Sequence, residues 1–374
     1  MTIILFILIL GVLIFVHELG HFLTAKKFGI RVDEFGLGFP PRLISRRRGE
    51  TEYSLNILPL GGFVKIFGEN PDEESLGGPD RRRSLTSQPR WVQALVLVAG
   101  VGFNLIFAWL LISVGFMAGL PTPVESRADA AFSSPAKLVI AQVMSESPAA
   151  GAGLQIGDEL VYLKVGKQTS PTGDQLTPEA VGQFVVQYPE EEITVGYRRG
   201  QIFAQKLSPL RTTTMVPQAG ILADQPAIGI GTDRIAVLKL SPLPALWEGL
   251  KLTAQLTYLT VTSLIDLIAR AIQGQGSFAQ VTGPIGLVSL VGSAAHLGWI
   301  YLLNFTAFIS INLAVINLAP FPALDGGRLL FLLIEKIKGS IIKPAVANIV
   351  NLAGFALLII LMLVVTYHDI IKLF

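Results

Sequence analysis

Leu13-Ile14-Phe15-Val16-His17-Glu18-Leu19-Gly20-His21-Phe22-Leu23 carries two histidines and a glutamate inside an otherwise unbroken apolar run over residues 3–25. About 20 apolar residues at ~1.5 Å each suffice to cross a bilayer, so the run reads as a membrane-spanning helix. Ionisable side chains at that depth cost roughly 2–3 kcal/mol or more each and mark function by default. Positions i and i+4 share one face of a helix. His17 and His21 can therefore offer two imidazoles to one zinc ion, while Glu18, one residue round, faces a water beside it. In a soluble chain the pattern His-Glu-x-x-His fixes only three positions and carries little weight. A structural membrane helix, by contrast, has little use for a carboxylate beside two imidazoles.

The composition around this run points the same way. Hydrophobic residues make up 51% of the 374 and charged residues 15%, which defines a multi-pass α-helical membrane protein. Four stretches qualify as spans by length: roughly 3–25, 91–120, 299–320 and 345–367. The first has no basic segment before it and is followed by Lys26 and Lys27 instead of a small-residue cleavage site, so a retained span is expected, not a signal peptide. A net charge of +2 is too weak for a nucleic-acid binder. Cysteine is absent, which excludes disulfides and thiolate metal sites. A further metal ligand must then be a carboxylate or one of the two other histidines, His296 and His368.

Residues 26–90 hold twelve Lys and Arg, including Arg46-Arg47-Arg48 and Arg81-Arg82-Arg83, and are expected in the cytoplasm. The first span then runs inward, the second outward, and residues 121–240 fall outside. Lys336, Lys338 and Lys343 independently place the connection between the last two spans inside. Residues 243–273 are apolar but interrupted by Thr, Ser, Asp266 and Arg270. They are expected to lie along the outer interface, since a fifth span would carry those lysines outside. The expected organisation is residues 1–120 with the first two spans and a cytoplasmic β-loop, 121–240 as an outer domain with its connector, 241–298 as an interfacial helix and linker, and 299–374 with the last two spans.

This topology constrains the metal. His21 and His17 precede Lys26 by five and nine residues, so the imidazoles sit about 8–14 Å below the cytoplasmic end of the first helix. Asn317-Leu318-Ala319-Pro320-Phe321-Pro322-Ala323-Leu324-Asp325-Gly326-Gly327 closes the third span at a matching depth. Asp325 is thus a candidate third ligand. As a helix N-cap it would be equally at home. A cap, however, leaves unexplained the Asn, the prolines and the paired glycines around it, because broken helix at membrane depth must line a cavity or pack in protein. Residues 51–66 read as two short strands with a Pro/Gly turn, and residues 35–39 as another strand before Pro40-Pro41. Such a strand edge beside a membrane site could pair with an extended peptide. In the outer segment, the small residues between Ser147 and Leu160 suit a short helix, Gly157-Asp158 a tight turn, residues 159–165 a strand, and residues 170–177 a loop. A β-rich run ending in residues 193–197 completes a compact domain.

Three motifs, in this order, resemble the site-2 proteases, zinc metalloproteases that cut within membranes, and most closely the bacterial regulator of sigma-E protease group. They are Phe15-Val16-His17-Glu18-Leu19-Gly20-His21-Phe22, Leu58-Pro59-Leu60-Gly61-Gly62-Phe63-Val64-Lys65 and the stretch from Asn317 to Gly327. The resemblance covers nearly the whole chain. It implies that His17, His21 and Asp325 bind Zn2+ and that Glu18 is the catalytic base. It implies further that Asn317, Gly61, Gly62 and Asn104 contact substrate, with residues 58–65 similar to the family's membrane-reentrant β-loop. Residues 149–158 are similar to the start of a bacterial PDZ domain, here single where many relatives carry two. In the second span the family usually has Gly-Pro before its asparagine, whereas Gly100-Val101-Gly102-Phe103-Asn104 lacks the proline.

The expected protein is a multi-pass plasma-membrane zinc metalloendopeptidase of about four transmembrane helices. It has an inner β-hairpin region, one extracytoplasmic PDZ-like α/β domain and an active site toward the cytoplasm. Its partners are the bilayer and membrane proteins with a transmembrane helix, such as an anti-sigma factor or signal-peptide remnants. A silent PDZ scaffold is disfavoured by the complete ligand set. A metal transporter is disfavoured by the absence of a repeat.

Overall fold

The first helix forms because nothing in it opposes one: residues 2–27 contain no proline, and the backbone polar groups of an apolar segment must be satisfied within the segment. The structure, a computed structural model, describes residues 1–69, 73–124, 132–200, 208–222, 225–274, 282–340 and 342–371. The chain opens with α1 (Thr2–Lys27), β1 (Val32–Arg48), β2 (Thr51–Ile66), α2 (Glu73–Gly77) and α3 (Arg90–Ala118). Then come β3 (Leu120–Pro123), β4 (Lys137–Val143), α4 (Pro148–Gly151), β5 (Glu159–Val165), β6 (Gln168–Thr169) and α5 (Pro178–Gln187). These lead into β7 (Ile193–Arg198), β8 (Leu210–Met215), β9 (Gln218–Leu222), β10 (Gln225–Ala227) and β11 (Ile230–Leu238). Five helices close it: α6 (Pro242–Ile272), α7 (Pro284–Leu297), α8 (Trp299–Leu318), α9 (Asp325–Lys338) and α10 (Pro344–Ile371). Among the described residues, α1, α3, α6, α8 and α10 are long and apolar enough to cross a membrane. Helix α6, expected along the interface, passes the same test of length and composition and is the least apolar of the five.

Residues 1–113, 246–292 and 303–374 form one unit. Its sheet has a different order from the one the turn residues suggest. Residues 34–37 pair with residues 52–55 on one side and with residues 62–65 on the other, while residues 42–48 pair with residues 51–56. The four segments therefore run 42–48, 51–56, 34–37, 62–65. The two strands expected within residues 51–66 are present, but they flank the segment at Phe35 and do not pair with each other. Alternation and turn residues mark strands without saying which of them are partners. The sheet packs on the end of α1 and the start of α3 through a core of Ala25, Ile30, Val32, Phe35, Val64, Ile66, Leu85, Val92 and Val96, with Phe22 and Phe28 against it. Within the same unit, Asp369 of α10 accepts from the Gly283 and Gly286 backbone N–H groups at 3.2 and 2.8 Å, satisfying donors at the start of α7.

Residues 114–245 and 293–302 form the second unit. Its main sheet runs β3-β11-β4-β5-β7-β8, with β6 added to β5, and its core holds Ile140, Leu163, Val181, Phe184, Ile193 and Val195. The expected short helix, turn and strand at 148–165 are all found. Ser147 caps α4 by accepting from Ala150 N–H at 3.2 Å, Gly157 takes φ 90°, and Asp158 accepts from Gln155 N–H at 2.8 Å. Helix α5 lies inside what read as a β-rich run. Its signals are local: Thr177 caps it, Pro178 opens it, and Val181, Phe184 and Val185 fall on one face and are buried.

Candidate metal centre

Helices α1 and α3 approach closely because small residues meet. A methyl group on Gly20 would fall 2.5 Å from the Ala99 carbonyl oxygen, and one on Gly100 would fall 2.4 Å from His21 Nε2 and 2.8 Å from His17 Cε1. The two imidazoles, edge to face with centroids 4.8 Å apart, thus both occupy the space left by the missing side chain of Gly100. Both are buried, each 7% exposed. His21 Nδ1–H donates to the Val96 carbonyl oxygen at 2.8 Å, which leaves Nε2 with a free lone pair.

Asp325 reaches the same point from 308 positions away along the chain from His17. Helix α8 ends at Leu318, and the chain doubles back through Ala323, whose φ is 75°. Methyl groups on Gly326 and Gly327 would each fall 2.2 Å from carbonyl oxygens of that returning loop, so this return requires both glycines. The N-cap of α9 is Leu324, with no side-chain cap bond, and Asp325 is the first helical residue. Its carboxylate is turned to the imidazoles, and capping does not account for it.

The donor atoms converge. His17 Nε2 and His21 Nε2 lie 3.0 and 3.3 Å from Asp325 Oδ2 and 3.2 Å from each other. A tetrahedral zinc ion with ligands at 2.0–2.1 Å has ligand–ligand edges of about 3.3 Å, so the three atoms span one face of such a site. Among the described residues this is the group of His, Asp and Glu side chains that could hold a metal ion. Beside it, a cavity of about 230 Å³ is lined by Ile14, His17, Glu18, Leu313, Asn317, Ala323, Leu324 and Asp325.

The other expected site residues divide. Asn317 lines the cavity with Glu18. Gly62 lies in the sheet close to two residues that line it: a methyl there would sit 3.1 Å from the Gly36 carbonyl oxygen, 3.3 Å from Ile14 and 3.5 Å from Glu18. Gly61 is covered by the Phe39 ring, 2.3 Å from where its Cβ would be. Asn104 is 0% exposed, and its amide meets the His17 ring, 3.2 Å from Nδ1. Helix α3 is continuous through this region, as the missing proline allows. Sequence reasoning quotes Gly100 only as part of the second-span motif, without a role at the site, and overlooks the Val96 carbonyl. The role of Gly100 could have been found, because it lies one helical turn before Asn104 in an apolar span; the main-chain acceptor had no sequence signal.

Residues 5–361 match the family described as peptidase family M50. A Clostridium perfringens relative whose name contains the words zinc metalloprotease is 36% identical over 372 residues, covering 99% of both chains. Regulator of sigma-W protease RasP of Bacillus subtilis is 29% identical over 450 residues, covering 100% of this chain and 99% of its own. Zinc metalloprotease RasP of Bacillus licheniformis is 29% identical over 449 residues with the same coverage.

Proposed function

The chain belongs to peptidase family M50, and on that premise we propose an intramembrane zinc metalloprotease whose metal is held by His17, His21 and Asp325 and whose general base is Glu18. The observation that carries the ligand set is the mutual spacing of three donor atoms, 3.0 to 3.3 Å, contributed by two distant helices. Zinc bound there supplies Lewis acidity and lowers the pKa of a water toward ~7. Glu18, on the cavity wall, takes the proton of the attacking water and passes it to the leaving amine nitrogen as the peptide C–N bond breaks. Asn317 shares that cavity and is suited to hold the peptide beside it.

A transmembrane helix hides its carbonyls in its own hydrogen bonds, so the substrate unwinds before it is cut. The segment at residues 62–65 pairs with residues 34–37 on one side only, among the described residues, and Gly62 brings it against α1 at Glu18. Its other edge is a template on which an unwound segment can lie extended, regardless of sequence. The substrates on this reading are single-pass membrane proteins: an anti-sigma factor, in keeping with a relative named for sigma-W regulation, or signal-peptide remnants. The basic segment at residues 26–90 puts the site toward the cytoplasm, with α6 at the outer interface and four spans in all. The second unit is then a PDZ-like filter on the outer face, admitting substrates once their outer portions have been removed.

Purified protein in detergent should hold one zinc per chain by elemental analysis and cleave a single-pass substrate. Activity should be lost on chelation and recovered on adding zinc back. Metal-free protein that binds peptides without cutting them would point to a scaffold instead.

A further inference from the structure

We propose that Asn104 is a positioning residue that holds His17 in its zinc-binding tautomer, rather than a substrate contact. The inference rests on the reading of His17 as a zinc ligand. His17 Nε2 is the ring atom in the donor cluster, 3.0 Å from Asp325 Oδ2 and 3.2 Å from His21 Nε2. To bind a metal, Nε2 must carry the lone pair, and in a neutral imidazole the proton is then on Nδ1. That N–H is buried and needs an acceptor.

The group beside it, at 3.2 Å, is the Asn104 amide, and Asn104 is fully buried. An amide offers oxygen or nitrogen by a 180° rotation. With Nδ2 toward the ring, an N–H donor would face the Nδ1–H donor, and Asn104 Oδ1 is left buried without a partner. With Oδ1 toward the ring, Nδ1–H gains its acceptor, so ligation through Nε2 selects that orientation. His21 is served in parallel by the Val96 carbonyl at 2.8 Å. Val96, Gly100 and Asn104 are spaced i, i+4, i+8 on one face of α3. One turn orients the second imidazole, the next makes room for both rings, and the third orients the first. Ser310 of α8 donates to the Asn104 carbonyl oxygen at 2.8 Å, fixing the backbone from which the amide projects.

The test is zinc affinity of the full-length protein, measured by competition with a chelator, for wild type, Asn104→Leu and Asn104→Asp. Loss of an outer partner of a ligating histidine weakens metal binding roughly 10–100-fold. Leu, similar in size but without an acceptor, should show that loss, while Asp, with an acceptor on the same stem, should stay near wild type. A substrate contact or simple packing role predicts the reverse: Leu leaves zinc binding intact, and a buried carboxylate harms it. A second readout needs no variant. The chain has four histidines, so 15N-histidine NMR of the zinc-loaded wild type resolves the nitrogens, and His17 Nδ1 should be protonated. Equal zinc affinity in all three proteins, Leu binding tighter than Asp, or an unprotonated His17 Nδ1 would overturn the role of Asn104. Wild-type protein that binds no zinc at all would instead overturn the metalloprotease reading beneath it.

Discussion

Glu18 and Asp325 line one cavity, and their neighbours divide the work between them. The Asp325 carboxylate meets two imidazole nitrogens, whereas Glu18, one position round α1 from His17, lines the cavity and on the proposed reading is the group that exchanges a proton. Glu18→Gln keeps the shape but cannot accept the water's proton. We expect full zinc content by elemental analysis and a loss of cleavage of at least about 10²–10⁴-fold. Asp325→Ala should lose zinc and activity together. An aspartate serving only as a cap would cost about 1 kcal/mol of stability and leave the metal bound, so stoichiometric zinc in the alanine variant would move the third ligand elsewhere.

At the scale of elements, the site depends on how closely α3 lies under α1. Gly100→Ala places a methyl within 2.4 Å of His21 Nε2, while Gly102→Ala, two residues on, meets nothing within 4 Å. Both changes favour helix by about 0.5–1 kcal/mol in the absence of clashes. Zinc affinity should therefore drop for Gly100→Ala alone, with thermal stability of Gly102→Ala unchanged or raised. Equal zinc binding in the two would show that the rings are not seated on α3. The elements themselves were largely legible: the apolar runs of α1, α3, α8 and α10, and the strands at 35–39 and within 51–66. Helix α5 was missed although Thr177-Pro178 announced it, because Val185 and Val186 favour strand when read without the face on which Val181 and Phe184 lie.

For the whole molecule, the filter reading predicts that chemistry survives loss of the second unit. The sheet shows where to cut. Leu120–Pro123 pairs with the end of β11, Ile235 opposite Pro123, and Val124 N–H donates to the Arg234 carbonyl at 2.8 Å. The chain entering and leaving this unit is thus already side by side. Excising residues 125–233 with a short Gly/Ser joint should leave α3 and α6 undisturbed, retain zinc and keep hydrolysis of an already trimmed membrane segment, while full-length substrates lose their protection. A folded, zinc-loaded deletion protein that cuts no trimmed substrate would end the filter idea.

The apolar run and the four-residue spacing of His17 and His21 are local, so the sequence alone determined that two histidines at metal-ligand spacing lie within a helix long and apolar enough to cross a membrane. It also placed Asp325 at a matching depth, since depth follows from counting residues along spans. Which side chain turns toward which was decided only by the tertiary structure. The Asp325 carboxylate faces the imidazoles instead of capping α9, Asn104 faces His17 and not the cavity, and residues 62–65 pair with residues 34–37 instead of with their neighbours across a turn. The first two of these choices depend on backbones held a few ångströms apart by Gly20, Gly100, Gly326 and Gly327, residues that leave no periodic trace yet set the distance at which helices and loops meet.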